Sequence, residues 1–384
     1  MDINKVKVLI SGGGTGGHIS PGIALYEEFK EKGISASILT GTQDKDYPPL
    51  NDVEKKDIFY YRAPSLSKNK FFFPIFIINF LFSILKAIRI IKKLQINKVI
   101  GMGGFVSAPA LVASILLKIP VYLCEQNSVP GRVTSLFSKY AENIFTTFNI
   151  TKKYLKETYE TKIYLAGNPI RKNILLNIDK EGAKNFFYLK HCKKILLTIG
   201  GSQGAFKINE VLLDIKKKYS EELKDVGIIW ITGEYSYKKF KEAIQDGSEK
   251  GSIYLSPFIE NIGLAYKASD IALSRSGSGA IMEFAAVGLP SILIPYPYAA
   301  SNHQEINADI VEKAGAAVKI NDEDANPENI GSILIKLINN STKLNKMSNK
   351  ALELSMPNAS ENIVNKIIKG KTQEEGVSPL EVKC

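Results

Sequence analysis

The sequence predicts an α/β protein of two Rossmann-like, doubly wound parallel-sheet domains facing a central cleft. Three observations carry that reading. Short apolar runs alternate with helix-length amphipathic stretches from end to end, which is the βαβ rhythm of a parallel sheet covered by helices. The rhythm breaks at "LAGNPIR", residues 165–171, where Gly167, Asn168 and Pro169 punctuate the chain, and then restarts. Glycine-rich turns follow apolar runs in both halves, where open α/β sheets hold their ligands.

Taken in order, "VKVLIS" reads as the first strand, followed by a glycine turn, a helix from about Pro21 to Lys32 and a second strand, "SILT", at 37–40. "NKVIGM", a helix from about Ala108, "PVYLCE" and "ENIFTTF" continue the pattern. "KKILLTIGGSQGAFKINEVLL" then opens a second domain the same way, and "GIIWITG", "SIYL", "DIALSR" and "PSILIPYP" supply its further strands. The predicted domains are 1–166 and 167–356. A last helix follows at 357–370, and a polar tail at 371–384 has too little apolar surface to order itself.

At 384 residues the chain is long enough for two cores. Its net charge of +11 points to an acidic partner: nucleic acid, an anionic membrane or a phosphorylated substrate. Cys124, Cys192 and Cys384 show no metal or redox spacing, so they fit a reducing compartment. The three histidines are scattered, and the first apolar run is too short for a signal peptide.

Four turns have the make-up of an anion site: "GGGTGG" at 12–17, "GMGGF" at 101–105, "GGSQGA" at 200–205 and "SRSGSGA" at 274–280. Outward N–H groups and a helix dipole favour phosphate there, and glycine lets the backbone come close. A dinucleotide dehydrogenase is disfavoured, because the second strand ends in Thr40 and Gly41 without the acid that grips a ribose. "DKD" at 44–46 has the form of an Asp-x-Asp metal motif, but it sits in the polar stretch "TQDKDYPP" and reads as a solvated loop without metal.

The blocks "GGTGGHISPGIAL", "GMGGFVSAPALVA", "EQNSVPG", "GNPIR", "GGSQGA", "SRSGSGAIMEFAAVGLPSILIPYPYA" and "NHQEINA" resemble, in order, those of the MurG family. These are the N-acetylglucosaminyltransferases that complete lipid II in bacterial cell-wall synthesis. The resemblance runs from about residue 6 to 320. It implies the GT-B fold and an inverting transfer from UDP-GlcNAc to undecaprenyl-diphospho-muramoyl pentapeptide (lipid I), with no cofactor. It also implies a peripheral place on the cytoplasmic face of the membrane, a final helix returning to the first domain, and room for contacts with other cell-wall synthesis proteins. The chain departs from the family at Ala280, where a threonine is usual, and in "DKDYPPLNDVEKKDIFYYR". A non-catalytic nucleotide-sugar-binding or membrane-scaffold protein of the same fold is the alternative.

An inverting transfer needs a base for the acceptor hydroxyl. His18 suits this, because an imidazole titrates near working pH. Glu125, at the end of "PVYLCE", is the competing candidate, and the two stay open. By resemblance Thr15, Gly16, Gly17, Asn127, Arg171, Ser202, Ile259, Ser278, Gly279, Ala280, Glu283 and Gln304 contact the donor. Glu283 has the chemistry to accept two hydrogen bonds from a ribose diol, Arg171 to meet a diphosphate, and the amide of Gln304 to meet sugar hydroxyls. Fixed amide dipoles can stabilise the departing diphosphate without a metal.

"KNKFFFPIFIINFLFSILKAIRIIKKL" is the greasiest stretch. Only 15 uncharged residues separate Lys70 from Lys86, and a bilayer span needs about 20. Asn79, Ser83, Lys86, Arg89 and Lys93 form a polar stripe at helical spacing, so the segment reads as an amphipathic helix from about Pro74 to Lys93, with Phe80 and Phe82 among its anchors. From Ile58 through Cys124 there are nine Lys and Arg and no acid, which suits an anionic leaflet. Nucleic acid is disfavoured, since no recognition helix or aromatic RNA-binding motif is present.

Overall fold

The computed structural model describes residues 5–62, 73–175, 178–201, 204–245 and 252–369. The chain forms two compact units, Met1–Arg171 with Met356–Cys384, and Lys172–Ser355. The first unit therefore runs past the expected boundary at 166. The tail expected at 371–384 lies outside the described residues.

The first unit contains β1 (Lys7–Ser11), α1 (Gly16–Glu31), β2 (Ser35–Gly41), β3 (Ile58–Tyr61), α2 (Phe73–Leu94) and β4 (Lys98–Gly101). It continues with α3 (Gly104–Leu116), β5 (Val121–Glu125), α4 (Arg132–Phe137), β6 (Ala141–Thr146) and β7 (Ile163–Leu165). The seven strands are ordered β3-β2-β1-β4-β5-β6-β7, and each neighbouring pair is parallel. Val8, Ile10 and Ile38 bury against Ile19, Ile23 and Phe29 of α1 on one face. Leu9, Leu39 and Val99 meet Ile84, Ala87 and Ile91 of α2 and Leu111 of α3 on the other. The period-2 alternation of strand side chains makes both faces apolar, as a doubly covered sheet requires.

The second unit runs α5 (Lys180–Phe186), β8 (Lys194–Ile199), α6 (Phe206–Lys218), β9 (Val226–Ile231), α7 (Glu234–Gln245), β10 (Ile253–Ser256) and α8 (Ile262–Ala268). Then come β11 (Ile271–Ser274), α9 (Ser278–Val287), β12 (Ser291–Leu293), α10 (His303–Lys313), β13 (Ala317–Lys319), α11 (Pro327–Ile338) and α12 (Ser341–Leu354). Its six parallel strands are ordered β10-β9-β8-β11-β12-β13. Trp230 is buried at the centre and donates from Nε1 to Asn209 Oδ1 at 2.9 Å, so the one polar atom of its ring is satisfied. The last helix, α13 (Ala359–Lys369), belongs to the first unit, where Ile363, Val364 and Ile367 join the core around α1.

Two helices start earlier than their patterns predict. α1 begins at Gly16, not near Pro21, and α3 begins at Gly104, not near Ala108. Glycine's poor helix propensity hides the first turn from a pattern reading. The consequence is functional, because each glycine run now ends inside a first helical turn, where amide N–H groups point outward.

α2 corrects the predicted polar stripe. Ser83 is buried and its Oγ lies 2.9 Å from the Arg62 carbonyl and 2.8 Å from that of Asn79, with one hydrogen to donate between them, so part of that stripe faces inward. The solvent receives Ile75, Ile77, Ile78, Leu81, Phe82 and Leu85 instead, with Lys86, Arg89, Lys92 and Lys93 exposed further along. Phe80 is half-buried and packs with Phe76 and with Phe105 of α3, so it is no surface anchor. Pro74–Leu94 has the length and composition to cross a membrane, with mean hydropathy 1.9 and 28% of its most apolar stretch buried in the fold.

Candidate functional site

In the first unit β1 delivers the chain into the first glycine turn and α1 leaves it. Thr15 is the residue before α1, with extended φ/ψ of −150° and 154°, yet its side chain does not cap the helix. Its Oγ1 instead lies 2.9 Å from Nδ1 of His18. The imidazole sits over the second glycine turn. A methyl group on Gly103 would fall 3.0 Å from His18 Cδ2, and one on Gly104 would fall 3.2 Å from Nδ1. Both glycines have positive φ, +81° and +68°, which L side chains avoid. The two turns therefore close around one half-buried histidine, with Gly16 and Gly17 opening α1 beside it.

Asp44 overturns the reading of "TQDKDYPP" as a wholly solvated loop. It is buried, and its carboxylate accepts from Gly14 N at 3.0 Å, Thr40 Oγ1 at 2.7 Å and Gly41 N at 3.3 Å. The protein thus fills one amide of the first turn with its own carboxylate. Asp46 is exposed. Among the described residues no three His, Cys, Asp or Glu side chains cluster as a metal site.

Glu125 does not lie open at the end of its strand. It is 4% exposed. Oε1 accepts from the amide of Asn127 at 3.0 Å and Oε2 from that of Gly131 at 2.9 Å. These bonds hold "EQNSVPG" and the start of α4 in shape. Burial pushes its carboxyl up from the ordinary 4.5, against bonds from Thr134, Asn127 and Gly131 that favour the charge. A raised folded-state pKa means that folding takes up a proton, so stability is fully present below the unfolded value and is lost as pH rises through the folded one. Glu125→Gln should remove that slope. The wild-type melting temperature minus that of the variant should fall as pH rises from about 4.5. A difference that stays flat would show that the Glu125 carboxyl ionises alike in the folded and unfolded chain.

Asn127 is half-buried, and its carbonyl accepts from Thr151 Oγ1 at 3.1 Å. Arg171 belongs to the first unit, not to the second as expected. It is 6% exposed, and Nη1 lies 3.6 Å from Asp52 Oδ2.

In the second unit the fourth turn ends at Gly277, and Ser278, Gly279 and Ala280 form the first turn of α9. A methyl group on Gly277 or Gly279 would meet nothing within 4 Å, and neither has a positive φ. Nothing in the fold itself demands glycine at either place, and glycine there leaves the backbone open to close approach. Glu283, on the same helix, accepts from the buried Tyr266 hydroxyl at 2.5 Å through Oε2. Gln304 in the first turn of α10 accepts from Tyr296 N at 3.0 Å through Oε1, and its carbonyl accepts from Ser276 Oγ at 2.8 Å. Ser301 and Asn302, just before α10, both have positive φ. Ile259 is buried. Ser202 lies outside the described residues.

Sequence reasoning weighed Asp44 only as part of a solvated "DKD" loop, and it did not single out Tyr266 or Arg275. The last donates to the carbonyls of Ile294 and Pro295 and to Asp322, tying the fourth turn to the loop after β12. An acid three residues beyond a strand-ending glycine was a usable signal for Asp44, since such an acid can turn back on its own backbone. Tyr266 and Asp322 meet their partners only through the fold.

Comparison with known proteins identifies the family. Residues 8–146 match the glycosyltransferase family 28 N-terminal domain and residues 195–363 its C-terminal domain. The chain is 35% identical to the UDP-N-acetylglucosamine–N-acetylmuramyl-(pentapeptide) pyrophosphoryl-undecaprenol N-acetylglucosamine transferase of Halothermothrix orenii, over 94% of this chain and 98% of that one. It is 33% identical to the enzyme of the same name from Clostridioides difficile, over 95% and 89%. The crystal structure of Acinetobacter baumannii MurG matches with a TM-score of 0.70 at 25% identity, over 95% of this chain and 99% of that one. The Staphylococcus aureus MnaA–UDP structure, at 17% identity and a TM-score of 0.71, shares the fold alone. With both halves matched and near full-length relatives a third identical, the chain belongs to glycosyltransferase family 28, in its MurG branch, and has the GT-B fold.

Proposed function

We propose that the protein transfers GlcNAc from UDP-GlcNAc to the muramoyl hydroxyl of lipid I, with inversion, and so forms lipid II. The observation that carries the reading is His18, held by Thr15 Oγ1 at 2.9 Å over two positive-φ glycines. In this reading Nδ1–H donates to Thr15, and Nε2 takes the proton of the acceptor hydroxyl. The hydroxyl oxygen bonds to the anomeric carbon as the bond to the diphosphate breaks and UDP leaves. Amides of the first turn of α9 stabilise the charge left on the diphosphate. Glu283, oriented by Tyr266, accepts from the uridine ribose. Glu125 keeps a structural part, since both its oxygens hold amides. The acceptor's polyprenyl tail places the enzyme peripherally on the cytoplasmic leaflet, and the apolar face of α2 with its basic end docks it there.

Incubation with UDP-GlcNAc and a short-chain lipid I analogue tests this. UDP and a disaccharide product should appear in equal amounts and persist in excess EDTA. UDP-GlcNAc binding without product would support a non-catalytic sugar-nucleotide protein. Activity that vanishes with EDTA and returns with Mg²⁺ would refute the metal-free departure.

Glu283→Ala should weaken UDP and UDP-GlcNAc alike, because the ribose is common to both. Losing hydrogen bonds to a charged acceptor costs about 1.5–3 kcal/mol, or roughly 10–100-fold in affinity. Titration calorimetry with each ligand measures it, and unchanged UDP affinity would take Glu283 out of the site.

A further inference from the structure

We infer that Gln126 is a specificity-determining residue of the acceptor site, its amide oxygen accepting a hydrogen bond from a donor group on the acceptor sugar beside the hydroxyl that attacks. This rests on the transferase reading above and names a contact within it.

Gln126 follows β5 and is 2% exposed. Its Nε2 donates to the carbonyl of Cys124 at 3.3 Å. That bond fixes which way the amide points, because a flipped group would set oxygen against oxygen. Oε1 has no hydrogen-bond partner within the protein. Such an acceptor is costly to bury, and native folds rarely leave one.

The oxygen has a definite outlook. A methyl group placed on Gly103 would lie 3.5 Å from Gln126 Oε1, 3.3 Å from His18 Nε2 and 3.0 Å from His18 Cδ2. Imidazole and amide oxygen thus converge over one glycine, whose φ of +81° and lack of a side chain let both approach its backbone. A polar substrate whose hydroxyl meets His18 would bring its neighbouring groups toward Gln126. Muramoyl sugars offer O–H and amide N–H donors around the attacking position, which is what an acceptor-only oxygen recognises. A site that presents a buried acceptor rejects analogues lacking the matching donor, because its own polar group is then left unpaired.

The test uses the full-length enzyme, UDP-GlcNAc and a short-chain lipid I analogue. Gln126→Leu removes the acceptor at similar volume. It should lower kcat/KM for the acceptor roughly 10–100-fold, with UDP affinity and melting temperature close to wild type. A panel of acceptor analogues, each lacking one hydroxyl or the acetamido N–H, then locates the donor. For one analogue the penalty of Gln126→Leu should vanish, as the coupling of a mutation to its own contact requires. If the leucine variant does not fold, Gln126→Met provides the same comparison. Acceptor kinetics unchanged in the folded variant, or a penalty equal across all analogues, would overturn the inference. A wild-type enzyme that forms no disaccharide would overturn the transferase reading instead, and the inference with it.

Discussion

His18→Ala should cut turnover by about 10²–10⁴-fold, the usual contribution of a positioned general base, while UDP affinity stays within a few-fold. The expectation follows from where the ring is held. Its Nδ1 is 2.9 Å from Thr15 Oγ1, so the ring's orientation is set by a side chain that would ordinarily cap α1. His18 is on the first unit, whereas Glu283, Tyr266 and the first turn of α9 are on the second, so in the proposed reading losing the imidazole leaves the nucleotide contacts in place. Thr15→Val keeps the shape and removes the hydroxyl. It should produce a smaller fall in kcat, since the imidazole remains but loses its partner. Single-turnover rates with bound UDP-GlcNAc separate chemistry from release. Equal losses in rate and UDP affinity would make His18 a binding or folding residue. Glu125 would not inherit the role by default, because both its oxygens are already engaged by amides.

Phe82→Ser combined with Leu85→Ser should strip the enzyme from phosphatidylglycerol vesicles with little effect on folding. Phe82 is 66% exposed and Leu85 48%, so neither serine opens a full cavity. Burying a large apolar side chain in lipid contributes about 1.5–3 kcal/mol. Two such losses weaken partitioning by about 10²–10⁴-fold if both insert fully. Transfer to a long-chain acceptor should fall much more than transfer to a water-soluble one, and UDP binding should not change. High salt should weaken docking of the wild type only in part, because Lys86, Arg89, Lys92 and Lys93 are screened and the apolar contacts are not. Phe80→Ser is the informative contrast. That ring packs with Phe76 and Phe105, so its loss should lower the melting temperature. If the Phe82/Leu85 variant folds and still pellets normally, α2 is not the anchor.

Several features of this protein are determined by its sequence alone. Parallel strands are legible because a sheet covered on both faces needs short, nearly continuous apolar runs, as in "VKVLI" and "KKILLTI". The glycine turns are legible because few other residues permit such close backbone approach. The family blocks lie in order along the chain, so membership is a linear property too. The tertiary structure decided which surfaces and atoms those elements present. Periodicity gave α2 two faces, but only its packing on α3 and the sheet turned Ser83 inward and left Ile78, Phe82 and Leu85 in water. Composition made "TQDKD" polar, but Gly14, thirty residues earlier, gave Asp44 an amide to hold. Glu125 ended a strand as expected, yet Gly131 and Asn127 closed over it. Gln126 stood in a quoted motif without distinction. Its importance appears only when Cys124 fixes its amide and Gly103 and His18 border its unpaired oxygen. Propensity and period act between chain neighbours, whereas burial and hydrogen-bond satisfaction depend on residues that the fold brings together.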